Sequence, residues 1–358
     1  MPRVSVVMPA YNCAAYLEKA VDSVLQQTLE DIELVIVQEA GSRDRTDAIL
    51  SDLDDPRVRV VRNDTPLGLA RSLNRGFALA RGEYVARMDA DDVALPERLE
   101  RQAVYLDAHP SVAVVGSAVR YIDADGRELG TRQYPTTPAR VLWGMHFDNA
   151  MCHPATMLRR AAFESAGGYS TRARDWEDYE LWTRLMRYHD LSNLPEVLLE
   201  YRIHQGSVSS QRNEEAREHI VDGAQRAMEV TMARPVDRGF VKSLVFPYTI
   251  ADRRNAIGAA WLLNYVYRTY RSWYKQRSRE DTIAVKEDVA TRMSHILARS
   301  VKVAPAGVPM IVWHTSRGGP GVTVRLASSS VQRGIERLGS PTTGGKRRAS
   351  GKAEAVQT

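Results

Sequence analysis

The sequence predicts an α/β fold: a parallel sheet with helices packed on both faces. Three observations carry that prediction. Short apolar runs alternate with amphipathic segments through the first ninety or so residues. The runs are almost continuously apolar, the mark of strands buried on both faces, where a half-exposed strand would alternate. Polar and acidic residues gather directly after several of the runs, at the carboxyl ends where open α/β sheets receive their ligands.

The elements follow in order. Val4 to Met8 has strand length and composition, and Tyr16, Leu17, Ala20, Val21, Val24 and Leu25 then recur at helical spacing, with Asn12 upstream as a cap. Ile32 to Val37 is a second strand, followed by the capping-type segment "GSRDRTDAIL". Val58 to Val61 is a third. Gly68 to Ala80 reads as a helix with Leu69, Leu73, Phe77 and Ala80 on one side, and Tyr84 to Met88 is a fourth strand. Pro96 suits the first turn of a helix that turns Leu99, Ala103 and Leu106 inward. Two strand-like runs, Val112 to Val115 and Ala118 to Ile122, meet a turn at Asp123 to Gly126. "HPATMLRR" reads as a further strand, "AGGY" as a tight loop, "WEDYELWTRLMRY" as a helix, and Leu191 to Tyr201 as extended around Pro195. From Arg212 to Arg299 the pattern is mostly helical. Past Ser300 it decays into a Ser-, Gly-, Lys- and Arg-rich end that lacks the apolar residues needed to offset ordering entropy. The expected organisation is a catalytic domain over 1–210, a helical region over 211–300 and a disordered tail over 301–358.

The chain has 358 residues, 44% hydrophobic and 26% charged, with a formal net charge of +5. That mild excess does not point to nucleic acid, and it suits anionic ligands or an acidic membrane surface. Cys13 and Cys152 are the only cysteines, which fits a reducing compartment. "MPRVSVVMPAYN" has no signal-peptide pattern, and no apolar run reaches the 18 or so residues of a membrane span. A cytoplasmic protein is expected, with peripheral contact at the inner face of the membrane as an open reading. The stretch that raises it mixes Trp261, Leu262, Tyr265, Tyr267, Tyr270, Trp273 and Tyr274 with Arg253, Arg254, Arg268, Arg271, Lys275 and Arg277. Such a helix either lies in a membrane interface or packs on the catalytic domain with its arginines in water. Lys346, Arg347 and Arg348 would add weak attraction to anionic lipid or form a solvated tail.

The chemistry concentrates in "RMDADD", where Asp89, Asp91 and Asp92 crowd the end of the fourth strand. Two carboxylates about 5 Å apart repel by roughly 3 kcal/mol at an effective dielectric near 20. Either these acids face water, with Asp91 or Asp92 capping the helix near Pro96, or something positive sits among them. Their place at a ligand-binding edge favours the second reading. Hard carboxylate oxygens at close spacing suit Mn2+ or Mg2+. Tyr11, after the first strand, and Glu39, after the second, project at the same edge, and Arg71, near the start of the Gly68 helix, could meet an anion.

Together, "VSVVMPAYNCAAYLEKAVDSVLQQT", "GLARSLNRGFALARGEYVARMDADD", "AGGYS", "WEDYELW" and "YRIHQGSVS" resemble the family 2 glycosyltransferases of the GT-A fold, over roughly Pro2 to Ser210. The resemblance implies transfer of a sugar from a nucleotide diphosphate sugar to a glycan or lipid-linked hydroxyl acceptor, with inversion at the anomeric carbon. It places Pro9, Ala10 and Tyr11 against the nucleotide base, Glu39 at the base or ribose, and Asp89 and Ala90 near the ribose and diphosphate. Asp91 would hold the metal, with Asp92 as support or alternative ligand. Asp178 would be the general base, flanked by Trp176 and Glu177 on the acceptor side. His153 would line the acceptor cleft or serve as a satisfied structural histidine; Arg202 and His204 would close over the diphosphate or sit in a solvated loop. The chain departs from the family pattern at Gln38 to Gly41, which reads Gln-Glu-Ala-Gly where Asp-Asp-Gly is common, and this bears on base preference.

Rival enzymes lack their marks. A dinucleotide oxidoreductase would carry G-x-G-x-x-G after the first strand, and a P-loop enzyme its glycine–lysine signature. A sugar nucleotidyltransferase would open with a glycine-rich phosphate loop. A non-catalytic nucleotide-sugar-binding scaffold is the remaining alternative, opposed by the presence of both Asp91 and Asp178.

Overall fold

A computed structural model of the chain describes residues 1–204, 214–275 and 278–303, together with 305 and 308. The segment of "YRIHQGSVS" past His204, Arg277, the basic cluster Lys346 to Arg348 and all but a few residues of the expected tail lie outside the described residues.

The first half builds one sheet. Strands β1 (Val4–Ala10), β2 (Ile32–Gln38), β3 (Val58–Arg62) and β4 (Tyr84–Arg87) pair in parallel in the order β3-β2-β1-β4. Helices α1 (Leu17–Leu25), α2 (Thr46–Asp52) and α3 (Leu69–Leu79) make the crossovers. After β5 (Val93–Ala94) and α4 (Arg98–Ala108), the chain lays down β6 (Val112–Ile122) and β7 (Glu128–Arg132). Helix α5 (Pro138–Gly144), a 3-10 turn at His153–Ala155, β8 (Met157–Arg159), α6 (Arg160–Ser165), α7 (Glu177–Leu185) and β9 (Asp190–Arg202) complete this half. The sheet continues β4-β8-β6-β9-β5, with β8 antiparallel to both neighbours and β7 paired to β6.

Several predicted boundaries move for identifiable reasons. Asn12 does not cap α1, whose N-cap is Tyr16; Asn12 adopts φ +48 and its side chain accepts from Arg43 N at 2.8 Å, joining two edge loops. The two runs around Gly116 form one strand, because a glycine there makes room for the Asn193 side chain: a Cβ would lie 2.2 Å from Asn193 Oδ1. Pro195 interrupts no strand. The register steps from Ser117–Leu194 to Ala118–Val197, so Pro195 and Glu196 bulge out and the missing N–H is not needed.

Both sheet faces are covered. One carries Val4, Val6, Met8, Leu34 and Ile36 against α1 and α4. The other carries Val7, Val35, Val37 and Val85 against Leu73 and Phe77 of α3 and Trp182 of α7. The same apolar cluster runs without a break into the second half, through Val221, Leu262, Val266 and Val289. These residues belong to α8 (Glu214–Met232), α10 (Arg253–Trp273) and α11 (Arg279–Val303), with α9 (Arg238–Val245) alongside. Helix α11 reaches three residues beyond the expected start of the tail.

The aromatic, basic stretch is α10, and it is the centre of the helical layer. Leu262, Leu263, Val266, Tyr267 and Tyr270 are buried among α8, α9 and α11, and Tyr270 Oη donates to Ala139 O. Of the aromatic residues named above, Tyr267 and Tyr270 are thus buried against protein, whereas Trp261, Tyr265 and Tyr274 are half-buried and Trp273 is exposed. No described helix is long and apolar enough to cross a membrane.

Gly76 gives this packing a test. Alanine in a helix interior normally gains about 0.5–1 kcal/mol over glycine. Here a Cβ would lie 2.4 Å from Val7 Cγ1 and 3.1 Å from Val37 Cγ2, both on rigid β-branched side chains of the sheet. Gly76→Ala is expected to reverse the sign and destabilise by about 1–3 kcal/mol, read from urea unfolding.

Candidate active site

The parallel register assembles the site. Val7 pairs with Arg87 and Ala10 with Gln38, Glu39 N donates to Ala10 O at 2.9 Å and Met88 N to Val7 O at 3.2 Å. Tyr11, Glu39 and Asp89 therefore emerge at one carboxyl edge. Tyr11 is 53% exposed. Pro9 is half-buried, whereas the Ala10 and Ala90 methyls lie in the core, so what these two alanines offer a ligand is backbone. Arg71 is exposed on the first turn of α3.

Glu39 is heavily committed. Its carboxylate accepts from Leu67 N and Gly68 N at 2.8 Å, Ser72 Oγ at 2.9 Å, Ala40 N at 3.2 Å and Asn63 Nδ2 at 3.3 Å. Burial alone would raise its pKa, but these donors outweigh that and hold it below the usual range. The residue thus clamps the turn that opens α3.

The acid cluster turns out to hold internal cations. Carboxylate oxygens of Asp89, Asp91 and Asp92 lie within 4.8 Å of one another. Arg87, 3% exposed, grips Asp89 through two contacts of 2.7 Å, Nη1 to Oδ2 and Nη2 to Oδ1. Arg202 N donates to Asp92 Oδ1 at 2.8 Å, its Nε to Asp91 O at 2.8 Å, and its guanidinium lies 4.6 Å from the Tyr16 ring centre. His204 Nε2 stands 2.9 Å from Asp91 Oδ2. Arg98 lies buried behind the cluster, donating to Arg87 O at 2.7 Å. Neither Asp91 nor Asp92 caps α4, whose N-cap is Glu97. Arg202 and His204 are already docked on the cluster, ruling out the solvated-loop reading for these two residues.

The internal cations do not fully satisfy it. Asp92 is 2% exposed, and its Oδ2 has no hydrogen-bond partner among the described residues. Burial, then Asp89 and Asp91, raise Asp92 well above the ordinary carboxylate range. Burial also pushes Asp89 up to about 6, with Asp91 adding to the rise and Arg87 opposing it. A buried, partnerless carboxylate oxygen beside two further carboxylates is a hard-donor set with unmet demand for positive charge, and it fits a divalent ion. Asp91 and Asp92 could hold one, with the His204 nitrogen beside them.

Asp178 stands on the first turn of α7, behind the N-cap Trp176. Its Oδ1 accepts from Tyr179 N at 2.6 Å and its Oδ2 from Asn149 Nδ2 at 2.7 Å. Burial raises its pKa, against those two donors and Arg87. Glu177 beside it is 5% exposed, and burial followed by the Asp178 charge pushes it up to about 7. The Arg87 charge opposes protonation of both Asp89 and Asp178, so one guanidinium serves two acidic groups. His153 is a satisfied histidine: Nε2 lies 2.9 Å from Tyr169 Oη, the ring meets Trp182 edge-on, and burial holds it well below its usual value. Gly167 and Gly168, at φ +79 and +74, form the expected tight turn, and Asn74 brackets Tyr169 through its N–H and C=O.

Two residues escaped the sequence reading. Arg87 was absorbed into an apolar strand, although its i, i+2 spacing to Asp89 was a usable signal. Asn149 comes from a loop with no periodicity, and nothing in the sequence singles it out.

Comparisons with known proteins identify the family and the fold. Residues 5–167 match the family described as Glycosyl transferase family 2. An uncharacterised glycosyltransferase of Haemophilus influenzae is 32% identical over 61% of this chain and 70% of its own. The amylovoran biosynthesis glycosyltransferase AmsE of Erwinia amylovora is 33% identical over 58% and 79%. Among solved structures, S. aureus TarS 1-349 in complex with UDP-GlcNAc superposes with a TM-score of 0.53 at 17% identity, covering 89% of this chain and 88% of that one. The mannosyltransferase PcManGT of Pyrobaculum calidifontis, in complex with GDP-Man and Mn2+, gives 0.51 at 16% identity, over 88% and 87%. The fold is that of the GT-A transferases.

The Glu177 environment yields a stability test. Its folded pKa, about 7, lies above its ordinary 4.5. Whatever Glu177 contributes is therefore fully present below pH 4.5 and lost as pH rises through 7. Glu177→Gln should match the parent near pH 4.5 and exceed it above pH 7, by up to about 3 kcal/mol, in denaturant melts across that range.

Proposed function

The chain belongs to glycosyl transferase family 2 and is a glycosyltransferase; from that premise we propose an inverting, divalent-metal-dependent transfer from a nucleotide diphosphate sugar to a hydroxyl acceptor, in the synthesis of a cell-surface polysaccharide, glycolipid or glycan. The observation that carries the reading is the buried Asp92 Oδ2 within the acid cluster, without a hydrogen-bond partner among the described residues, with Asp178 under the influence of the same Arg87 that pairs with Asp89. Nucleotide sugars of both uridine and guanosine type are bound by the structural neighbours, one of them with Mn2+, and AmsE is named for polysaccharide synthesis.

In this proposal, Asp91 and Asp92 hold Mn2+ or Mg2+, with His204 as a neighbouring nitrogen donor. When bound, the ion supplies Lewis-acid stabilisation of the charge on the departing diphosphate. The remaining roles belong to side chains and backbone. Tyr11, exposed at the edge, offers its ring to the nucleotide base, with Pro9 and Ala10 setting its position. Glu39 keeps the Leu67–Gly68 turn in place beside the donor. Arg87 fixes the Asp89 carboxylate, so the donor meets an oriented acid at the ribose and diphosphate. Arg202 and His204 hold Asp92 and Asp91, and Arg71 stands where an anionic group could be met.

Asp178 accepts the acceptor hydroxyl's proton while that oxygen attacks the anomeric carbon opposite the leaving diphosphate. Its raised pKa suits the task, because a base that binds its proton more tightly draws it from the hydroxyl more readily. The ionised form is the active one, so transfer should fall as pH drops through the pKa of Asp178. Trp176 and Glu177 frame the acceptor side.

Two variants separate donor binding from chemistry. Thermal shifts with Mn2+ and a panel that includes UDP-GlcNAc and GDP-mannose identify the donor. Asp91→Ala should abolish the metal-dependent shift; an undiminished shift removes Asp91 from the metal site. Asp178→Asn should keep the shift and slow transfer by about 10²–10⁴-fold. Transfer at the parental rate would place the base elsewhere.

A further inference from the structure

We infer that Asn149 is a positioning residue for the transfer step: its amide, hydrogen-bonded to Asp178, favours the ionised form of that carboxylate. The inference rests on the reading of Asp178 as the base. Its warrant is geometric. Asn149 Nδ2 donates to Asp178 Oδ2 at 2.7 Å, across 29 residues of sequence. The amide is not free to turn over: Asn149 Oδ1 accepts from Met151 N at 3.3 Å, which directs the NH2 group at the carboxylate.

The loop behind it is braced within itself and anchored by β9 and α7. Asn149 N donates to Asp148 Oδ1 at 2.8 Å, Asn193 Nδ2 of β9 donates to Ala150 O at 3.1 Å, and Tyr179 Oη of α7 donates to Met145 O at 2.6 Å. The last bond ties the loop to the residue next to Asp178, so donor and acceptor move together. Tyr179 N holds Oδ1 and Asn149 holds Oδ2, and a carboxylate so held retains lone-pair capacity for an acceptor hydroxyl.

The electrostatic setting gives that bond its leverage. The charged and titratable groups facing Asp178 are Glu177 and Tyr179 on its own helix, Arg87 and Asp89 from the end of β4, and Tyr169 from the glycine turn. Burial and the acids favour the protonated form. Arg87, Tyr179 N and Asn149 oppose it, and of these only Asn149 is a side chain dedicated to Asp178. An amide N–H bonds the charged carboxylate more strongly than the neutral acid, so the bond favours the ionised form.

The test uses water as the acceptor, since the natural acceptor is unidentified. In that reaction the bond from the anomeric carbon to the diphosphate oxygen breaks, a bond to the water oxygen forms, and the water proton passes to Asp178. Hydrolysis of the nucleotide sugar giving the largest thermal shift is followed from pH 5 to 9 for the full-length parent, Asn149→Ala, Asn149→Asp and Asp178→Asn, with Mn2+. For Asn149→Ala, the acid limb of kcat should move up by about one pH unit. The rate should then fall roughly tenfold below the limb and stay near parental on the alkaline plateau, with KM for the donor unchanged. Asn149→Asp keeps the side-chain volume and sets a second carboxylate against Asp178; its limb should move further in the same direction. A uniform loss of rate at all pH values, or a parental limb in both variants, overturns the inference. Should Asn149→Ala fail to fold, the near-isosteric aspartate decides. If Asp178→Asn hydrolyses donor at the parental rate, the base assignment fails and this inference with it. If Asp178→Asn is inactive while the Asn149 limbs stay parental, only the role of Asn149 is lost.

Discussion

Arg87 is the constraint around which the rest of this site is arranged. A guanidinium 3% exposed at the end of a central strand must be paired, because an unpaired buried charge costs several kcal/mol. Asp89 pairs with it directly, and the guanidinium charge also lowers the pKa of Asp178. Arg87 offsets part of the burial cost of Asp89 and Asp178, both of which burial pushes toward the protonated form. It also fixes orientation: a two-point grip on Asp89 leaves the carboxylate no rotational freedom, and orientation is what a donor site needs before any ligand arrives.

Much of this was legible in the chain. Continuous apolar runs separated by amphipathic segments do imply a two-faced sheet, and they brought Tyr11, Glu39 and Asp89 to a common edge because parallel pairing aligns strand ends. Short-range sequence grammar failed where a distant partner overrode it. Asn12 looked like a helix cap until the second edge loop offered Arg43 N; Gly116 looked like a break until Asn193 needed its space. Pairings across long separations, such as Asn149 with Asp178 or Arg202 with Asp92, have no local signature at all. Arg87 is the instructive miss. One charged residue in an apolar strand is easily discounted, yet a buried strand tolerates it only if something ionised waits for it.

The departure at Gln38 to Gly41 also takes on a physical meaning. Glu39 is longer than the aspartate common in the family, and its extra methylene lets it reach the N-terminus of α3, where backbone N–H groups at Leu67 and Gly68 receive it. An acid at this position thereby becomes part of the scaffold that shapes the donor side of the cleft. Gln38, by contrast, turns away, donating to Asp47 Oδ1 at 3.2 Å.

The unbroken apolar cluster joining the sheet to α8, α10 and α11 has a consequence for how such a chain can vary. A sheet flank that is oily and has no polar coat of its own cannot shed its neighbours without meeting water. Trp143 Nε1 on Asp288 and Arg140 on Asp281 add polar rivets to the same joint. Recombination that grafted a foreign C-terminal half onto this N-terminal half would have to reproduce a complementary surface residue by residue. Cutting the chain between the halves would accordingly open that flank to water and leave the first half prone to associate through it.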